Sequence, residues 1–489
     1  MMQTSAALSP FTGLMLLIAF SIVWVTLGWY WGRNNKTFDD YSVAGRNVGM
    51  ALATATTLAT WVTSNTTMVA PQLAYQMGLW GMVGYSFGSV GLLLFAPMAQ
   101  RIRMLMPGGY TAGDFFRLRY GPVAWRVFLC ISLLYGIGWL VSLGMAGGIL
   151  IQALSGIPYA VGMTVILGVC VAYTLLGGLR AVIGTDFVQT ILITLGVAIL
   201  GVLAIRRIGI EPMHAALSAE RPELLNLLLP VSLMFLFNNL LFGIGEIFHS
   251  NVWWSRAFAF GRGVGFRAFL LAGLIWAPIP IAAGFLALGA PVLGINVPAP
   301  DMVGPLVAAR LLGATGAIFI FIVVFSALAS SLDSLLAATS DLIVQDGYRR
   351  HFRPRASDAT MRYAAKVTIV LLGVITWLVC LPRLTNLAAV LHLTGAFVAS
   401  TIWPVAAGLY WKRVNPRAAV WAMILGSAAG LWAYFGIGFY VAALTGAAVS
   451  MAIILAGTLL YPHHFDWATL DESRDTATAG PRTQAGGPT

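Results

Sequence analysis

The chain has 489 residues, of which 59% are hydrophobic and only 9% charged. Soluble folds carry about 25% charged residues, so this composition excludes a soluble globular enzyme, a disordered chain and a disulfide framework. It leaves an all-α polytopic membrane protein, in which the net charge of +11 is to be read by position rather than as a nucleic-acid signal.

A crossing needs ~20 mostly apolar residues. Taken in chain order, the apolar runs are 11–32, 49–71, 77–100, 124–154, 158–178, 183–206, 229–260, 266–290, 316–344, 362–381, 386–410, 417–437 and 439–461. The first is too long for a signal-peptide core and reads as a retained span. Residues 462–489 are polar and rich in Gly, Thr and Pro, and read as a disordered cytoplasmic tail. The three cysteines, Cys130, Cys170 and Cys380, lie in apolar runs without metal spacing, so no disulfide or zinc site is expected.

Thirteen spans place the termini on opposite sides. With the N-terminus outside, 23 of the 28 Lys and Arg residues fall on the inner side, among them Arg33, Lys36, Arg46, Arg256, Arg474 and Arg482. Five fall outside: Arg206, Arg207, Arg221, Arg310 and Arg383. That bias predicts a cytoplasmic C-terminus in a cell (inner) membrane.

Two spans are not plain lipid-facing helices. The second carries Thr63-Ser64-Asn65-Thr66-Thr67 at mid-depth. Hydrocarbon satisfies no polar group, so such a run must bond within protein or line water; it predicts a broken helix beside a cavity. The seventh, with 32 residues, is too long for one straight crossing and holds Gly243-Ile244-Gly245-Glu246, the expected interruption. Interrupted helices early in each half point to inverted repeats around a midplane site. The repeats would cover about 49–206 and 229–410, within a single transmembrane domain of residues 1–461. The extra helices would be 11–32, 417–437 and 439–461.

Intramembrane acids are functional candidates because their burial is costly. Asp186 and Asp333 are candidates for the ion pathway. Glu246 is either a site residue or a partner of Arg256, and Asp341 reads as the partner of an arginine near the headgroups. In the ninth span, Ser330 and Ser331 would face backbone carbonyls near Ala59 and Val62, an oxygen set suited to Na⁺. Adjacent serines also occur as back-bonded packing residues.

Four motifs then resemble the sodium:solute symporter family. They are Asp40-Tyr41-Ser42-Val43-Ala44-Gly45-Arg46, Gly177-Gly178-Leu179-Arg180 with Thr185-Asp186-Phe187-Val188-Gln189, Ser330-Ser331-Leu332-Asp333-Ser334, and Trp403-Pro404 with Gly408-Leu409-Tyr410-Trp411-Lys412-Arg413. The likeness runs from about residue 38 to 461. It implies a five-plus-five inverted-repeat (LeuT-like) core with discontinuous helices. It also implies Na⁺ as the coupling ion, held by the carbonyls of Ala59 and Val62 and by Ala327, Ser330 and Ser331, with Asp186 near the cytoplasmic exit. Tyr85 and Ser86 stand where sugar-carrying members have an acid, which points away from sugars. The Trp254-Ser255-Arg256 spacing and the run Leu332-Asp333-Ser334-Leu335-Leu336-Ala337-Ala338-Thr339-Ser340-Asp341 resemble the urea, amine or amino-acid side of the family.

The expected function is Na⁺-coupled symport of a small polar solute by alternating access. The solute would contact Trp61, Thr63, Ser64, Asn65, Thr66, Tyr75, Glu246, Asn251 and Trp254. No arginine or lysine is expected at mid-depth. The alternatives are proton coupling through Asp186, Asp333 or Glu246, and a membrane sensor module, which the 28-residue tail does not favour. No nucleophile–base pair or phosphate loop points to an enzyme, and the lipid bilayer is the only obligatory surrounding expected, with no protein partner.

Overall fold

A computed structural model describes residues 7–33, 37–383 and 385–471. The regular secondary structure among the described residues is helical, apart from one isolated backbone bridge between Val48 and Phe260. In order, the helices are α1 (Pro10–Gly32), α2 (Phe38–Val43), α3 (Met50–Trp61), α4 (Ser64–Met77), α5 (Leu79–Ser86), α6 (Ser89–Leu105) and α7 (Ala112–Tyr120). Then come α8 (Pro122–Ser155), α9 (Tyr159–Ile208), α10 (Ile210–Glu220), α11 (Pro230–His249), α12 (Asn251–Ala259), α13 (Val264–Trp276) and α14 (Pro278–Leu288). The last are α15 (Val303–Asp341), α16 (Asp358–Cys380), α17 (Leu387–Leu393), α18 (Gly395–Tyr410), α19 (Pro416–Gly436) and α20 (Ala442–Leu460).

Eleven described helical stretches are long and apolar enough to cross a membrane. One of them, α9, has 50 residues and turns at Gly178, so it crosses twice. The short pair α3 and α4 supplies one more crossing, which brings the number to the thirteen expected.

The turn in α9 depends on its glycine. Gly178 has φ 54° and ψ −157°, a region closed to side chains, and a Cβ there would stand 2.5 Å from the Tyr41 carbonyl oxygen. Strain and clash together cost about 2–4 kcal/mol. Gly178→Ala is therefore expected to lower the thermal midpoint by several degrees, followed by tryptophan fluorescence; an unchanged midpoint would contradict the tight turn.

In the seventh crossing the break is not where the glycines suggested. Helix α11 runs unbroken through Gly243-Ile244-Gly245-Glu246, and the chain leaves helical geometry at Ser250 (φ −69°, ψ 128°), whose hydroxyl caps α12 through the Val252 N–H. The two glycines serve close approach instead. A Cβ on Gly243 would lie 2.5 Å from the Gly88 Cα, and one on Gly245 would lie 2.9 Å from the Val398 backbone.

The arginine-rich loops gather on one face. There Arg46 donates to the Gly109 carbonyl at 2.6 Å and pairs with Asp39 at 3.1 Å, Arg180 pairs with Asp40, and Arg350 pairs with Asp114. On the opposite face Arg221 donates to the Tyr75 carbonyl at 2.6 Å and Arg383 pairs with Asp301 at 3.1 Å. The stretch 462–471, expected to start a disordered tail, is instead packed on the basic face. Its Phe465 N–H donates to the Lys412 carbonyl at 3.0 Å, Arg101 lies 4.2 Å over the Trp467 ring, and Leu470 is buried. Lys36, Arg474, Arg482 and the rest of 472–489 lie outside the described residues.

Candidate functional site

The second crossing breaks where hydroxyls replace the helical ladder. Helix α3 ends as Val62 takes φ −82° and ψ 79°, and Thr63 is extended. The Thr63 hydroxyl then accepts the Thr66 N–H at 3.1 Å, while the Thr66 hydroxyl accepts the Thr63 N–H at 3.2 Å. This reciprocal cap starts α4. It also diverts the two N–H groups that a continuous helix would give to the carbonyls of Ala59 and Val62. Both carbonyls are thereby released from the ladder in a fully buried place.

Helix α15 packs its serines against this break. Ser331 Oγ lies 3.1 Å from the Thr60 carbonyl and 2.9 Å from the Ala327 carbonyl. One hydroxyl proton serves only one of these two acceptors at a time. Ser330 Oγ, one residue earlier, donates to Asp186 Oδ1 at 2.7 Å. The break and the serines, far apart in sequence, therefore form one oxygen-lined junction.

Beside it lies an ion pair that the sequence reading did not anticipate. Arg256 was counted with the inner loops, yet its side chain and that of Asp186 are both 0% exposed, with Nη2 and Oδ2 3.2 Å apart. Arg256 also donates to Thr56 Oγ1 at 3.1 Å, Thr60 Oγ1 at 2.5 Å and Ser334 Oγ at 2.8 Å. Asp186 additionally accepts from Thr56 at 2.5 Å. So the expectation of no cation at depth is corrected: α12 delivers a guanidinium into the network joining α3, α9 and α15. With every strong donor and acceptor satisfied, the pair survives burial. Glu246 is accordingly no partner of Arg256; it accepts from Tyr135 at 2.6 Å and Trp253 at 3.0 Å. Asp341, expected to pair with an arginine, is buried with no ion pair among the described residues.

On the other side of the break is a small cavity with no charged side chain in its wall. Trp61, Trp139 and Trp276 line it with Tyr85, Phe242, Thr63, Thr66 and the amide of Asn239. Trp61 and Trp139 are stacked with ring centroids 6.3 Å apart, and Trp276 lies 5.5 Å from Trp61 while donating to its carbonyl at 2.7 Å. About 10 Å³ of room is left for a water centre, enough for roughly one water.

The expected solute residues divide accordingly. Trp61, Thr63 and Thr66 line the cavity. Ser64 and Asn65 are buried next to it, with Asn65 Oδ1 accepting from Ser142 at 3.0 Å. Glu246 stands one layer back, behind Trp253, whose ring meets Trp61 edge-on at 5.5 Å. Three residues lie elsewhere. Tyr75 sits at the far end of α4 under Arg221, and Trp254 packs among Phe95, Phe115 and Phe258 with its N–H on the Phe248 carbonyl. Asn251 ties the Ala112 N–H to the Ala338 carbonyl. Asp333 is buried on α15 and its carboxyl oxygens have no hydrogen-bond partner among the described residues; the neighbouring Tyr173 hydroxyl donates to Ala329 instead. Trp139, Trp276, Tyr85 and Phe242 were missed as site residues, because an aromatic inside an apolar span is indistinguishable from packing until the helices are assembled. Asn239, a polar residue in the seventh span, was missed because the break was placed elsewhere.

Comparison with known proteins agrees with this geometry. The model of the sodium:solute symporter family matches residues 41–426. The urea-proton symporter DUR3 of Oryza sativa subsp. japonica is 26% identical, over 96% of this chain and 72% of its own length. The osmoregulated proline transporter OpuE of Bacillus subtilis (strain 168) is also 26% identical, over 88% of this chain and 93% of its own. The sodium/pantothenate symporter of Haemophilus influenzae (strain ATCC 51907 / DSM 11121 / KW20 / Rd) is 25% identical over 79% and 82%. Among solved structures, a Na⁺-coupled sialic acid symporter in its substrate-bound outward-open state superposes with a TM-score of 0.75 at 20% identity, covering 93% of this chain and 99% of that one. Mhp1, a nucleobase-cation-symport-1 family transporter, superposes with a TM-score of 0.55 at 14% identity, covering 89% and 98%. The fold is thus the LeuT-like inverted-repeat fold, and with a broken helix, a buried oxygen junction and a family match over most of its length, the chain is a membrane transporter that belongs to the sodium:solute symporter family.

Proposed function

We propose that the chain imports a small, uncharged polar solute together with Na⁺, and that urea or a compact amide is the solute class. The observation that carries this reading is the junction of the α3–α4 break with α15. In this reading the carbonyls of Ala59 and Val62, released from the helix, join Ala327, Ser330 and Ser331 as oxygen ligands that hold a dehydrated monovalent cation without excess negative charge. The packing of Ser331 on the Thr60 carbonyl next to the break supports it. Thr63 and Thr66 belong both to the break and to the cavity wall, so cation binding orders the surface that meets the solute. The cavity is uncharged, lined by three indoles and one amide, and with about 10 Å³ of room it has to widen as the outer side opens before it admits the solute. That lining suits a planar solute rich in N–H and C=O groups and rejects an ion that would enter without a counter-charge. Urea transporters recur among the relatives.

In this reading the basic face is cytoplasmic, and the inside-negative potential contributes ~2.3 kcal/mol per charge per 100 mV to inward release. Asp186 belongs to the inner part of the ion pathway. The repeats, about 49–206 and 229–410, move against each other, and the Asp186–Arg256 pair ties one to the other. Proton coupling is the second reading, favoured by the unpartnered carboxyl of Asp333.

The test is uptake of radiolabelled urea, small amides and proline into proteoliposomes under an imposed gradient. An inward Na⁺ gradient is expected to drive accumulation. Accumulation in Na⁺-free buffer driven by a pH gradient alone would replace Na⁺ with H⁺. For the solute, Trp139→Ala is expected to weaken half-saturation about two- to tenfold, as loss of one stacking face costs ~0.5–1.5 kcal/mol, with the Na⁺ dependence unchanged. An unaltered solute affinity would move the solute out of this cavity.

A further inference from the structure

At the basic face a second cavity, of about 480 Å³, opens between the end of α6 and the turn that joins α12 to α13. It is separate from the transport site. Arg103 and Arg262 line it from opposite sides, with the single carboxylate of Asp471, so its side-chain charge is net positive. Arg46 adds a third guanidinium within electrostatic reach of Arg103. Arg103 spends Nη1 on the Pro107 carbonyl at 2.7 Å, and its Nε is buried without a hydrogen-bond partner. Arg262 is exposed on a glycine-rich turn, where Gly261, Gly263 and Gly265 let a ligand approach the backbone.

The surroundings of the cavity are apolar. Met104, in its wall, is 65% exposed, and Phe266, next to Gly265, is also exposed. Beyond them Leu94 on α6 and Leu271 and Leu274 on α13 present an outward apolar strip. A phosphate flanked by two guanidiniums, with hydrocarbon running away from it along a membrane helix pair, is the shape of a lipid at the interface. Guanidinium forks match phosphate oxygens bidentately, and basic pockets at helix ends select anionic headgroups.

We propose that the cavity between α6 and the 257–265 turn binds the phosphate of an anionic phospholipid, held by Arg103 and Arg262, with the acyl chains lying along α6 and α13. The lipid then braces the end of α6 against α12, the helix that carries Arg256.

The experiment uses the purified full chain in a neutral detergent, with the thermal midpoint read by tryptophan fluorescence and bound lipid by native mass spectrometry. Added phosphatidylglycerol is expected to raise the midpoint by about 2–4 °C and to remain bound, while phosphatidylcholine does neither. In Arg262→Gln, an exposed position where folding is not at stake, the rise is expected to fall by half or more. In Arg103→Gln/Arg262→Gln it is expected to vanish. An equal phosphatidylglycerol effect in wild type and Arg262→Gln would overturn the site. An equal rise with phosphatidylcholine would overturn recognition by charge. A rise reproduced by millimolar inorganic phosphate, with no retained lipid, would make it a free-oxyanion site and overturn the lipid.

Discussion

Replacing Arg256 with methionine is expected to cost about 3–5 kcal/mol of stability, because it leaves a buried carboxylate without its counter-charge. Asp186 is 0% exposed, and without Arg256 it keeps only the hydroxyls of Thr56, Thr60 and Ser330 as donors. Asp186→Asn strands the guanidinium in the same way. The double variant Asp186→Asn/Arg256→Met removes both charges and is expected to recover most of the loss, since a buried pair and its neutral replacement are nearly equal in free energy. Reversible unfolding in mixed micelles, arranged as a double-mutant cycle, measures this directly. Single-variant losses below 1 kcal/mol, or a double variant as damaged as the sum of the singles, would show that the two groups do not act as a pair. Arg256→Lys separates charge from shape. It keeps the cation but loses the fork that reaches Thr56, Thr60 and Ser334 together, so it is expected to fall between wild type and Arg256→Met.

That pair also marks where sequence reading stopped. The thirteen spans and the basic bias were legible because hydropathy and Lys/Arg position are local properties. The broken second span was legible for a stronger reason: Thr63-Ser64-Asn65-Thr66 is both a polar run that lipid cannot satisfy and a cap that starts a new helix. Arg256 was not legible. It lies only four residues before Phe260, where the apolar run ends, so linear position put it with the loops. The extended residue at Ser250 reorients α12 and carries the side chain into the core. The seventh-span break was misplaced for a related reason. Glycines near Gly243 mark close approach as readily as a break, and only the neighbour at Gly88 distinguishes the two. Tyr75 lies elsewhere because α4, 14 residues long with Pro71 inside it, carries it to the helix end away from the break, where it meets Arg221. Trp254 failed by one position. Its neighbour Trp253 points toward Trp61 and Glu246, while Trp254 turns to Phe95 and Phe115.

Replacing Ser331 with alanine is expected to raise the Na⁺ concentration for half-maximal uptake at least about tenfold, a loss of ~1.4 kcal/mol or more. The reason lies in proton bookkeeping. Ser331 Oγ stands within 3.1 Å of two carbonyls, those of Thr60 and Ala327, and has one proton to give. With the carbonyls of Ala59 and Val62 also released from the helix, the junction has more acceptors than donors. A cation relieves that surplus, accepting lone pairs from the carbonyls and from the hydroxyl alike. The alanine variant removes one oxygen ligand, and that loss weakens the cation-loaded junction. At saturating Na⁺ the maximal uptake rate should stay close to wild type, since Ser331 does not line the solute cavity. Ser330→Ala should do more. It removes a ligand and also frees Asp186 Oδ1 from its 2.7 Å hydrogen bond, so its expected signature is a weaker Na⁺ dependence together with lost stability. Uptake measured against Na⁺ concentration for the two variants separates these effects. Unchanged half-saturation in Ser331→Ala would remove α15 from the ion site, and proton-driven uptake abolished by Asp333→Asn but not by Ser331→Ala would relocate coupling to that carboxyl.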